Sequence, residues 1–166
     1  MAKKAKVVEV KEEPTLSELW RREIAFKCWL KDIPNILDGF ISRMPKEVAE
    51  KLDFSMESLD IVEKYLLDKY ENNKQIMFEE PFYILDGYAV YVGETFRKII
   101  ASHDPHICWQ LMLEEDNVYY SLPILDGYNI IDCPLTTITA SLDRRTGKFC
   151  SSLLSVFLEM YPKTIA

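Results

Sequence analysis

The chain has 166 residues, 48% of them hydrophobic, with 20 basic and 27 acidic side chains and a formal charge of −7. A chain of that length suits one domain, whose core can bury roughly 70% of the unfolded surface. The balance argues against a disordered chain, and a net negative field repels phosphate backbones, which excludes broad nucleic-acid binding; a basic partner is attracted instead.

No window approaches 18 apolar residues, so no spanning helix and no membrane partner are expected. Met1 to Lys6 is basic, but no apolar stretch follows it as in an ordinary signal peptide, and a cytoplasmic location is expected. Cys28, Cys108, Cys133 and Cys150 show no CxxC spacing and lie among apolar residues, which reads as four reduced, buried thiols.

In chain order, residues 1–13 alternate in sign and read as a flexible arm, with a single α+β domain over 14–166. Thr15 and Glu18 have capping-box spacing and open a helix whose apolar stripe is Leu16, Leu19, Trp20, Ile24 and Cys28. Pro34 is expected to start a separate, shorter helical piece that runs to Met44 and stops at Pro45. Lys46 to Leu52 reads as a brief amphipathic turn or helix. Ser55 then caps a helix from Met56 to Tyr70 with Leu59, Val62, Leu66 and Tyr70 on one face.

Residues 82–100 are apolar round most of the axis, which predicts a central, buried helix. Gly87 and Gly93 within it each cost about 1 kcal/mol against alanine, so close approach by another element must compensate. After it the period changes to two. Ile107, Trp109, Leu111 and Leu113 alternate, as do Val118, Tyr120, Leu122 and Ile124, predicting an antiparallel hairpin over 107–124. A four-residue loop would set Leu113 against Val118, Leu111 against Tyr120 and Trp109 against Leu122. Pro123 marks the second strand as an edge or as ending there, and Tyr128 to Asp132 adds a short third strand. Pro134 to Leu142 is ambiguous between strand and helix, and Phe149 to Tyr161 is a closing helix. The fold class is α+β: N-terminal helices, a long central helix, a small antiparallel sheet and a C-terminal helix. Ile-Leu-Asp-Gly recurs at 36–39, 84–87 and 124–127 without flanking similarity, and coincidence is the better account.

Candidate chemistry is thin. His103 and His106, the only histidines, sit with Asp104 in what reads as a polar connector, and no second Cys/His segment completes a zinc site. No GxSxG, Walker A or dinucleotide fingerprint is present, so neither a cofactor nor a metal is expected. Glu94, on the central helix, lies three residues before Arg97, and an internal ion pair is its simplest role. The acidic clusters Glu79-Glu80 and Glu114-Glu115-Asp116 fall in loops and are the candidate partner-binding residues. A surplus of aromatic residues suits a protein-binding face as well as a core.

Asp53-Phe54-Ser55-Met56-Glu57-Ser58-Leu59, the stretch from Ala89 to Arg97, and Trp109 resemble segments of small uncharacterised bacterial α+β proteins. The glycine-rich turn of those proteins is replaced here by His103-Asp104-Pro105-His106. In size, acidity and composition the chain is also similar to immunity proteins that neutralise interbacterial toxins, and no catalytic residue comes with that likeness. The expectation is a non-catalytic protein-binding module that blocks a basic toxin enzyme. The alternatives are a small enzyme centred on Glu94 and Arg97 with a loop histidine, and a structural or self-associating homo-oligomer.

Overall fold

The computed structural model describes residues 12–163. The expected arm, 1–13, therefore lies outside the described residues except for its last two positions. The helices are α1 (Leu16–Ser42), α2 (Lys46–Ala49), α3 (Met56–Lys69), α4 (Phe82–Ile100), α5 (Pro134–Arg144) and α6 (Phe149–Glu159), with a π-helical turn at Gln75–Glu79. Strands β1 (Cys108–Leu111), β2 (Pro123–Asp126) and β3 (Ile131–Asp132) form one antiparallel sheet in that order. The α+β class, with N-terminal helices, a central helix and a closing helix, is as the sequence predicts.

The local signals at helix starts hold. The Glu18 amide donates to Thr15 Oγ1 and the Thr15 amide to Glu18 Oε2, completing the capping box of α1. The Ser58 amide likewise donates to Ser55 Oγ at 3.1 Å. Proline at the first turn resolves the ambiguity of 134–142 as helix, since its missing N–H leaves no intrahelical bond unmade there.

Helix α4 is central, packed against α1 on one side and α5 on another. Its buried residues run without a break from Gly87 to Phe96. Both glycines admit close neighbours, as expected. A Cβ at Gly93 would lie 2.2 Å from the Trp109 ring, and one at Gly87 would lie 3.1 Å from the Phe40 ring. The segments quoted for the bacterial resemblance meet here. Phe54 stacks on Tyr91 at 4.9 Å, and its amide donates to the Tyr91 hydroxyl, which in turn donates to Ser58 Oγ. Phe54 has φ 60°, a left-handed conformation costing on the order of 1 kcal/mol in a bulky residue, and the bond to Tyr91 helps to hold it.

Helices α3, α5 and α6 are tied end to end by two charged side chains. The buried carboxylate of Glu63, on α3, accepts from the Phe149 and Cys150 amides and so satisfies the N-terminus of α6. Arg145, at the left-handed end of α5, donates to the carbonyls of Leu67, Tyr70 and Glu71 at the C-terminus of α3. The N-terminus of α6 and the C-terminus of α3 are thus each capped by a neighbouring element.

Four expectations are corrected. First, α1 does not break at Pro34 but continues through it to Ser42. Proline removes one helical bond, while Ile33 and Phe40 on either side are buried in the core and keep the helix docked. Second, the predicted stripe of α1 is not its buried face: Leu16, Trp20 and Ile24 are exposed. A row at constant spacing four drifts about 40° per step round a helix of 3.6 residues per turn. The docked face instead mixes spacings of three and four, through Phe26, Trp29, Leu30, Ile33, Ile36, Leu37 and Phe40. Third, Cys28 is exposed and Cys108 half-exposed; only Cys133 and Cys150 are buried, and all four are free.

The fourth correction is the hairpin register. The strands pair antiparallel, but Trp109 faces Leu125, Gln110 faces Ile124 and Leu111 faces Pro123. Trp109 thus meets a residue three places beyond Leu122, and an odd slip exchanges the faces of the second strand. The cause is local. Asn117 accepts the Tyr119 amide on its side chain and the Tyr120 amide on its carbonyl, winding the intended strand into turns. Ser121, at φ 66°, re-aims the chain, and Pro123 becomes the first residue of β2, where its missing donor is tolerated. So β2 is neither an edge strand nor ended by Pro123, and Leu113 and Val118 are exposed.

Candidate functional site

The shifted register opens a cleft of about 360 Å³ between α1, the start of α4 and the loop that enters β2. Ala25, Phe26 and Trp29 line it from α1, and Phe82 and Asp86 from α4. Leu111, Leu122 and Pro123 close the sheet side, with Leu135 of α5 beyond. Phe26 and Trp29 stack at 5.9 Å, and Trp29 meets Trp109 edge-on at 5.1 Å. The Trp29 indole N–H is shared between both oxygens of Asp86, each at 3.2 Å. Burial, and secondarily the Asp32 carboxylate, raise the Asp86 pKa against the pull of that bond.

At one rim Arg22 donates to the Tyr120 hydroxyl and lies over its ring at 5.2 Å. The same two residues line a neighbouring cleft of about 370 Å³ together with Glu12, Glu18 and Glu115. Of the predicted acidic tip, Glu115 therefore comes beside Glu18 and next to the apolar cleft, with Glu114 and Asp116 exposed in the same loop. Glu79 and Glu80 are elsewhere. Glu79 is exposed at the end of the π-helical turn; Glu80 is half-buried and, after burial itself, helps push the Tyr70 hydroxyl up to about 12. Among the described residues no hydrogen bond or ion pair joins Glu79 or Glu80 to Glu114–Asp116.

Glu94 and Arg97 form the internal pair that the spacing predicts, through two bonds of 2.8 Å. The Trp109 indole adds a third bond, to Glu94 Oε1 at 2.7 Å. Burial alone would raise the Glu94 carboxyl; the Arg97 guanidinium and the indole more than reverse it, and it titrates below the ordinary range. The histidines are engaged elsewhere, His103 against Tyr161 and His106 against Tyr128. Among the described residues no three potential metal ligands cluster, and no helix is long and apolar enough to cross a membrane.

Sequence reasoning placed Asp104 in a polar connector and missed its role as a buried carboxylate, which accepts from the Tyr161 hydroxyl and from the Tyr128 and His106 amides. Burial acts to raise its pKa, and those donors together hold it below the ordinary value. The same hub explains Gly127, where a Cβ would lie 2.6 Å from Asp104 Oδ2. The cleft was missed too, since its walls come from residues as far apart as Ala25 and Leu135. One signal for it was available: Asp86 interrupts the most apolar segment of the chain.

No family model, curated protein or solved structure matches the chain.

Proposed function

We propose that this protein is a non-catalytic binding module for a basic protein, of the immunity type that blocks a cationic toxin enzyme. The observation that carries the reading is the open apolar cleft with Glu115 and Glu18 beside it. Aromatic walls bury large area at low entropic cost, which lengthens the life of a complex. Acidic side chains at the rim raise the rate of encounter with a cationic surface. Toxins that act on nucleic acid carry such surfaces, and a net charge of −7 complements them. Phe82 of the cleft wall is exposed, as is the adjacent Tyr83. The bonds that occupy the Glu94 carboxylate support a structural role for it rather than a part in chemistry.

A second reading, self-association, draws on the exposed row Leu16, Trp20 and Ile24 of α1. One experiment separates the two. Tagged full-length protein drawn through extract of its own host should retain a basic protein that is released near 1 M salt, where the Debye length falls to about 3 Å. Recovery of a small molecule with no protein would overturn the binding-module reading. A dimer by light scattering with no second protein would favour self-association.

A further inference from the structure

We propose that the cleft beside α1 is a receptor for an arginine side chain of the partner, with Asp86 as its counter-charge and the rings of Phe26, Trp29 and Phe82 as its walls. The inference rests on the binding-module reading and supplies its anchor.

Asp86 is a half-buried carboxylate with one polar partner, the Trp29 indole, and it makes no ion pair among the described residues. Such a group has acceptor capacity left for a further donor, because a carboxylate offers about four acceptor sites and one indole N–H spans both oxygens at 3.2 Å. No cation among the described residues pairs with it. Asp32 of α1 repels it, Arg22 is bonded to Tyr120, and Arg43 lies over the Tyr83 ring at 5.0 Å. Burial and Asp32 raise its pKa, and an incoming cation would relieve that cost of holding charge.

The walls select which cation. A guanidinium is planar and weakly hydrated; it stacks on aromatic faces while its N–H groups fork onto a carboxylate. An ammonium keeps its water more tightly and gains less from flat rings. The cleft, at about 360 Å³, sits at the small end of the roughly 300–1,000 Å³ found for ligand pockets, which suits one long side chain. Glu18 and Glu115 beside it favour a basic segment around the inserted arginine.

The test is an NMR titration of the full chain with N-acetyl-arginine methylamide, read at the Trp29 indole N–H, with the leucine and glutamate analogues as controls. The arginine probe should give a saturable shift with affinity in roughly the millimolar range, and the leucine probe a markedly weaker one. Asp86→Asn should weaken arginine binding about tenfold. Phe82→Leu, at an exposed wall position that leaves folding undisturbed, should weaken it roughly two- to fivefold. Equal binding of the leucine probe, or unchanged binding in D86N, overturns the arginine receptor while leaving an apolar docking cleft and the module reading intact. Preference for the glutamate probe would mean that Arg22 governs the cleft, and overturns it too. No shift with any probe also overturns it, and the partner capture then judges the module reading independently.

Discussion

Gly93→Ala is expected to destabilise the fold by about 3 kcal/mol, lowering the unfolding midpoint by roughly 6–12 °C for a chain of this size. Two effects oppose one another at this position. In a helix interior alanine is better than glycine by about 1 kcal/mol, so propensity alone predicts stabilisation. Packing predicts the reverse, because the added Cβ would lie 2.2 and 2.5 Å from Trp109 ring carbons and 3.0 Å from Pro134 Cγ. The ring has little room to retreat. Its indole N–H is fixed on Glu94, and its edge abuts Trp29. Displacing it strips Glu94 of one bond and leaves a buried donor unpaired, which adds about 1–3 kcal/mol. Thermal unfolding followed by circular dichroism reads the sign directly, with tryptophan fluorescence as a check on the ring. A midpoint raised by a few degrees would show that propensity wins and that the close approach is not a constraint.

Asp132→Asn is expected to stabilise the protein at pH 8 by on the order of 2 kcal/mol relative to its effect at pH 4. Asp132 is buried and accepts from the Thr137 hydroxyl on Oδ1, while Oδ2 has no partner. Burial pushes its carboxyl to about 6, against the pull of the Thr137 hydroxyl and the adjacent Cys133 amide. The native state therefore holds this proton more tightly than the unfolded chain, whose carboxyl keeps the ordinary value of 3.8. Stability from the neutral form is fully present below that ordinary value and is lost as pH rises through about 6. Asparagine cannot ionise and is spared the loss. Asp104 and Glu94 act in the opposite sense: their carboxyls are held low, so their contribution is present above the ordinary range and lost on acidification. For that reason the wild-type curve alone does not isolate Asp132, and the difference between urea midpoints of variant and wild type from pH 4 to pH 8 does. A difference flat with pH would mean that Asp132 ionises as freely folded as unfolded.

Much of the scaffold was legible because its signals are local. Thr15 with Glu18, Ser55, and the Leu59–Val62–Leu66–Tyr70 face each depend on residues within a few turns, and the glycines of α4 announced a close neighbour without naming Trp109. What failed were inferences that needed tertiary context. A lone Pro34 costs about 3 kcal/mol in an isolated helix, yet the core burial of Ile33 and Phe40 outweighs it here. The hairpin alternation was sound on β1, but on the second strand Asn117 turn chemistry and Ser121 in the left-handed region overrode it. That override also made the cleft, since the loop it created carries Leu122 and Pro123 to Phe26. The acidic tip was legible as a charge cluster. Its closeness to Glu18 and the aromatic walls was not, because no sequence pattern links them.

We propose capture of a basic protein by an acidic loop beside an aromatic cleft. Its most direct test is the association rate of the captured partner with wild type and with the variant Glu114→Ser, Glu115→Ser, Asp116→Ser, measured across ionic strength. The variant should associate several-fold more slowly at low salt, with a shallower salt dependence, and the two proteins should converge once the Debye length falls to about 3 Å near 1 M salt. An unchanged rate at low salt would contradict the claim and remove the tip from the binding surface.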